Sequence, residues 1–390
     1  MTGPLTSLKI LDFTTLLPGP FATMFLADLG ADVLRIEAPN RPDIVRMSPP
    51  YLGESSISAA HAMLNRSKRS ITLDLKNPQS TAIVHKLVQT YDIVLEGFRP
   101  GVMDRLGVGY SALKAVNPRL IYCAITGYGQ DGPLANRAGH DMNYLALSGQ
   151  MSYSGSQATG PTPQGTQIAD IGGGSFTAMV GILAAVIHRH HTDEGQLVDV
   201  AMTDGAMLWN SVTGAEYLAG DELPTYGNRQ LNGGSHYNYY RTSDGRYLSV
   251  SSLEPQFWRG FCDAIERPTW VDRLSEPMPP LIADIGAVIE TRTLAAWVEI
   301  FQRYDVCVEP VLNLDEVVTH PHTQYRQMIV EVPGEGGPVR QFANPLKFSA
   351  TKAHYPYYGV SAGQHNHEVL RELGYSESEI TTLAETGVFG

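Results

Sequence analysis

Residues 8–37, LKILDFTTLLPGPFATMFLADLGADVLRIE, decide the fold. They hold a short apolar run (LKILDFT), a turn at Leu17-Pro18-Gly19-Pro20, a longer amphipathic run (PFATMFLADLGA) and a second short run (DVLRIE). A strand, a helix and a strand within about thirty residues predict a parallel pair joined by a crossover helix. The alternation continues outward through SITLDL (70–75), STAIVHKLVQTY (80–91), DIVLEGF (92–98) and LIYCAITGYG (120–129). Asn77 ahead of Pro78 supplies a cap and a first helical residue for the third of these crossings. The expected class is therefore α/β, with a large doubly wound, Rossmann-like domain. The turn after the first strand is LPGP and not GxGxxG, which speaks against nicotinamide or flavin binding. GxxxxGK[ST] and GxSxG are also missing, so a P-loop hydrolase and an α/β-hydrolase are set aside.

With 390 residues, 43% of them apolar and 17% charged, the chain is long enough for that domain and a smaller one. We expect a large domain over residues 1–224, a small α+β domain over 225–325, and a return to the large domain over 326–390. The small domain is read from a hairpin at TSDGRYLSVSS (242–252), turning at Asp244-Gly245, and from helical patterns at 257–266 and 293–304 separated by the proline-rich SEPMPPL. A terminal helix pair is expected at HNHEVLRELG and SESEITTLAETG, the second capped by Ser376 with Glu379. The net charge of −12 disfavours nucleic acid as a partner. Residues 1–140 nevertheless carry 14 Lys and Arg against 11 Asp and Glu, a net of +3, leaving 14 against 29 in the remainder. A small anionic ligand fits that basic third. Three scattered cysteines (Cys123, Cys262, Cys307) and a start without a basic region and unbroken apolar stretch suggest the cytoplasm. The apolar run Gly172–Ile187 has the length of a buried core helix, and no membrane span is expected. His188, His190 and His191 at its end do not share one helical face, so they are read as helix-terminal cations and no metal site is expected.

Two placements could carry chemistry. His140 follows a flexible glycine after a turn-rich stretch, and Asp170 stands just before Gly172-Gly173-Gly174 and a helix. Bare backbone at a helix start can approach a ligand and aim N–H groups at developing negative charge. The plainer alternative makes Asp170 a helix cap and His140 a loop histidine.

The whole chain resembles the family III CoA-transferase superfamily (CaiB/BaiF type) and, within it, the α-methylacyl-CoA racemase branch. The matching stretches are residues 8–37, RSKRSITLDLKNP (66–78), EGFRPGVMDRLGVG (96–109), TGYGQDGP (126–133) and AGHDMNYLALSG (138–149). They continue with DIGGGSFTAMVGILAAV (170–186), GQLVDVAMTDG (195–205), DGRYLSV and EPQFW (244–258), CVEPVL (307–312) and GQHNHEVLRELGY (363–375). The resemblance implies an acid/base pair at His140 and Asp170, supported by Glu254 of the EPQF motif. It implies inversion of the α-carbon of a 2-methylacyl-CoA thioester, with no cofactor beyond the CoA of the substrate. In the transferase branch the residue matching Asp170 is instead a nucleophile that forms a mixed anhydride, and the GHD histidine is generally missing. A third reading, a non-catalytic CoA-binding subunit, sits poorly with three such residues.

The resemblance also places CoA in the N-terminal domain. It offers Arg35, Lys76, Arg99 and Arg105 as phosphate ligands, with Arg66, Lys68 and Arg69 adding charge and Gly172 and Gly173 facing the substrate. An arginine expected at position 38 is replaced by Ala38, with Arg41 nearby. The family pairs two chains as interlocked rings, so a homodimer is implied, with Glu254 reaching the site of the partner chain.

Overall fold

The computed structural model describes residues 3–220 and 222–390. Met1 and Thr2, part of the start read for a signal, and Asp221, near the expected domain boundary, lie outside them. Six strands form one parallel sheet: β1 (Lys9–Asp12), β2 (Asp32–Glu37), β3 (Lys68–Thr72), β4 (Ile93–Glu96), β5 (Ile121–Thr126) and β6 (Leu197–Ala201). Their spatial order is β3-β2-β1-β4-β5-β6, with Ile10 beside Val33 on one side and Ile93 on the other. This is the doubly wound order, and it reverses direction between β1 and β4, where the loops at the carboxyl ends of the strands part to leave a crevice. Covered on both faces, the central strands are buried throughout, which is why they read as unbroken apolar runs.

One face packs Leu11, Leu34, Ile71, Val94 and Tyr122 against Ile83, Val84 and Leu87 of the helix Pro78–Leu87. Leu370 and Ile380 of the two terminal helices complete this core. Both predicted caps are present. Asn77 Oδ1 accepts from the Gln79 amide at 3.0 Å, and Glu379 Oε2 accepts from the Ser376 amide at 2.7 Å.

The chain divides into two compact units. The larger runs up to Ser148 and adds Gly165–Leu208 and His322–Gly390; the other comprises Gly149–Gln164 and Trp209–Pro321. These bounds differ from the expected ones because residues 149–164 and 209–224 pack with the small unit: Tyr226 Oη donates to the Met151 carbonyl and Asn232 Nδ2 to the Tyr153 carbonyl. The small unit holds an antiparallel sheet of Asn238–Arg241, Tyr247–Val250 and Val308–Pro310, its first two strands joined at Gly245 with φ +76°. Its core centres on Trp258, Phe261, Trp297, Phe301 and Ile285. The SEPMPPL stretch is not a plain separator. It opens a helix, Met278–Ile289, with prolines in its first turn, where no amide hydrogen is needed.

The apolar run read from Gly172 is also longer than expected. It starts at Ala169 as a π-helical turn and continues to Thr192, 24 residues long and apolar enough to cross a membrane by composition. It lies instead along β5 and β6 of the sheet. Ala178, Met179, Ile182 and Ala185 face inward, and the buried Arg189 bonds to Asp92 at 2.9 Å.

Candidate active site

The site forms at the carboxyl edge of the parallel sheet, from the loops after β1 and β5 and the start of the helix Ala169–Thr192. After β5 the chain runs through Gly127 and returns at Gly139. A Cβ at Gly127 would lie 2.5 Å from the Tyr144 ring and one at Gly139 2.6 Å from Tyr128 Oη, so both glycines are required by close packing on this tyrosine pair. Tyr144 Oη donates to the Gly139 carbonyl at 2.5 Å and its ring meets Tyr128 edge-on. His140 is thereby held as the N-cap of the helix Asp141–Leu147, its amide donating to Asn143 Oδ1 at 3.0 Å. The imidazole is exposed.

Asp141, next in sequence, is buried, and its Oδ1 accepts from the Asp170 amide at 3.0 Å. That bond ties the His140 segment to the Asp170 segment. The Asp170 carboxyl is half-buried and is pushed up to about 6, mainly by burial and further by the Asp141 charge, with the nearby His140 acting in the opposite sense. A carboxyl group balanced near neutrality beside an imidazole can hold or release a proton at little cost, which is the requirement for acid/base exchange. Asp141 is the residue of this arrangement that sequence reasoning passed over. Its only signal was an acid in the first helical turn directly after the candidate histidine.

The other expected site residues lie as follows. The glycines lie one turn inside the helix, not at its start, and Gly172, Gly173 and Gly174 are buried. A Cβ on Gly173 would fall 2.6 Å from the Met202 carbonyl, and one on Gly205 would fall 2.3 Å from the Gly173 carbonyl. Gly173 therefore allows close helix-to-helix contact with Met202–Leu208. Arg35 lies inside β2, fully buried, with Nη2 bonded to Asp43 Oδ2 at 2.6 Å; that carboxylate also accepts from the Leu16 amide, at φ +64° in the loop after β1. Arg35 thus braces the loop through Asp43. Arg66 is spent on Asp28, Lys68 on Asp12, and Arg69 on Glu368 and Glu372.

Arg35, Arg66 and Lys68 are consequently internal. Arg41, Lys76, Arg99 and Arg105 are different: all four are exposed, and among the described residues none has an ion-pair partner. Lys76 and Arg99 follow β3 and β4 at the carboxyl edge. A cleft of about 290 Å³ opens nearby, lined by Glu37, Pro39, Asn40, Arg46, Thr72 and Phe389. Glu254 belongs to the small unit, where it is the exposed N-cap of the helix Pro255–Ala264.

Residues 5–366 match the family described as CoA-transferase family III. The chain belongs to CoA-transferase family III. Among its family relatives is "Alpha-methylacyl-CoA racemase" of Homo sapiens, 35% identical over 387 residues, covering 97% of this chain and 96% of that one. "Succinyl-CoA:glutarate CoA-transferase" of Homo sapiens is 31% identical over 405 residues, covering 99% and 90%. A solved CAIB/BAIF family protein from Brucella suis superposes with a TM-score of 0.83 at 28% identity, covering 96% of this chain and 100% of that one.

Proposed function

We propose that this protein is an acyl-CoA racemase or epimerase that inverts the α-carbon of 2-methylacyl-CoA thioesters. The observation that carries the reading is the tie through Asp141 that sets Asp170, with its carboxyl near neutrality, beside His140. One group takes the α-proton as a base, and the electron pair moves onto the thioester oxygen to give an enolate. The other group then delivers a proton to the opposite face. For the opposite enantiomer the roles exchange, and no oxidant, reductant or acceptor acid is consumed. The resemblance of two curated relatives to this chain, both named α-methylacyl-CoA racemase, supports the same reading. Incubating either pure enantiomer of a 2-methylacyl-CoA with the protein should give the mixture of both; retention of configuration would contradict it.

Because both directions need the pair to share a single proton, kcat/KM for the two enantiomers should follow one common bell-shaped pH profile. With the Asp170 carboxyl raised to about 6, its acidic limb should fall below about pH 6, not below the value near 4 of an ordinary aspartate. Initial rates from each enantiomer over pH 4–9 check this.

The second reading is a CoA-transferase with the Asp170 carboxylate as nucleophile, favoured by relatives named as CoA-transferases at 31–33% identity. It would require an acceptor carboxylic acid and form an acyl anhydride on Asp170 that hydroxylamine traps.

For CoA we propose the carboxyl edge of β3 and β4, with Lys76 and Arg99 facing the phosphates, Arg105 in the helix after Arg99 and Arg41 in the loop after β2. Exposed, unpaired cations can meet a phosphate without first breaking an internal pair. Lys76→Gln and Arg99→Gln should each raise the KM for acyl-CoA several-fold with little change in kcat, measured by steady-state kinetics. We also propose a cytoplasmic homodimer in which Glu254 of a second copy supports His140. Phe176, Val180, Ile187 and Leu208 leave an apolar face exposed on the large unit that a second copy would cover. Sedimentation should show a dimer, and an active monomer would contradict this.

A further inference from the structure

We infer that His236 is a positioning residue for Glu254, an inference that rests on the racemase reading and on Glu254 taking part in it. Glu254 is exposed, and among the described residues its side chain makes no hydrogen bond. Its place is therefore set by its own backbone, and that backbone is anchored on both sides by one imidazole. Two residues before it, the Ser252 carbonyl lies 2.9 Å from His236 Nε2. Four residues after it, Trp258, whose amide bonds to the Glu254 carbonyl at 2.9 Å, packs its indole on the His236 ring with centroids 4.6 Å apart. Ser252, His236 and Trp258 are all buried.

The chemistry of the contact fixes the ring. A carbonyl can only accept, so Nε2 carries the proton and Nδ1 holds a lone pair. Nδ1 is buried and has no hydrogen-bond partner. Burial also keeps the histidine below its ordinary value, so the ring stays neutral. A neutral imidazole with one fixed donor is a rigid brace. It is supported in turn: the Ser252 hydroxyl accepts from the Cys307 amide at 3.2 Å, and Tyr240 Oη donates to the His236 carbonyl at 3.0 Å. The strand end carrying Glu254 is thus clamped to the neighbouring strand by Cys307 and to the helix that follows by His236. Misplacing a catalytic-site group by about 1 Å can cost up to about 10²-fold in rate.

The test is a double-mutant cycle on α-proton exchange of a chiral 2-methylacyl-CoA, with full-length protein. His236→Phe keeps a flat ring against Trp258 and removes the donor; His236→Gln keeps a donor at the same reach. We expect His236→Phe to lower kcat by about 10- to 100-fold with KM within about twofold, and His236→Gln to restore most of it. In a Glu254→Ala background His236→Phe should add nothing, because the group it positions is gone. If the loss is undiminished in that background, or absent in the parent while Glu254→Ala is impaired, the positioning role is wrong and the racemase reading stands. If Glu254→Ala alone exchanges at the parent rate, the reading of Glu254 fails and His236 has nothing to position. Should His236→Phe not fold, His236→Asn, too short to reach Ser252, against His236→Gln gives the same comparison.

Discussion

Asp170→Asn should lower α-proton exchange by about 10²–10⁴-fold, the range supplied by a general acid or base in the transition state. The substitution keeps the size of the side chain and removes only its ability to titrate. It leaves the link to Asp141 intact, because that hydrogen bond is donated by the backbone amide of residue 170 and not by its side chain. It also removes a carboxylate that faces the Asp141 charge, so the thermal midpoint should stay level or rise. Activity lost with stability kept separates a chemical role from a structural one. An exchange rate within tenfold of the parent would show that Asp170 does not move the proton.

The second large effect is expected at His140. His140→Ala should reduce racemisation by a similar factor of about 10²–10⁴, because inversion needs one group on each face of the α-carbon. The helix cap again survives, since the bond to Asn143 Oδ1 comes from the His140 amide. This substitution also separates the two readings. A nucleophilic Asp170 needs no partner on the opposite face, so a transferase would keep moving CoA to an acceptor acid in His140→Ala. Chiral analysis of the recovered acyl group, run beside a CoA-transfer assay on the same variant, reads both outcomes.

What the sequence revealed and what it withheld divide along the range of the interactions. The parallel sheet was legible because each strand–helix crossing announces itself within about thirty residues, and Asn77-Pro78 and Ser376 with Glu379 act through contacts two or three residues apart. The brace made by Arg35 was hidden because a basic residue in a strand looks like any other until its partner is known. That partner is Asp43, eight residues on, which also holds Leu16 across the next turn. A triple glycine before an apolar run fits both a ligand-facing helix start and a close helix crossing. The crossing itself, with Met202 and Gly205 about thirty residues away, was not legible from the sequence. Asp141 went unnoticed for the same reason, its partner lying at Asp170. The charge balance of +3 over residues 1–140 pointed to a basic region, but Arg35, Arg66 and Lys68 are locked into buried pairs. That Arg41, Lys76, Arg99 and Arg105 are exposed and have no ion-pair partner among the described residues could not be read without the fold.

The most direct test of the central claim is the fate of the α-hydrogen of a 2-methylacyl-CoA incubated with the protein in deuterium oxide, with no acceptor carboxylic acid present. Proton transfer between His140, Asp170 and the α-carbon predicts that deuterium enters the α-position at a rate comparable to inversion, and that hydroxylamine leaves the enzyme active. No deuterium incorporation, together with inactivation by hydroxylamine only when acyl-CoA is present, would contradict the account and mark Asp170 as an acyl-accepting nucleophile.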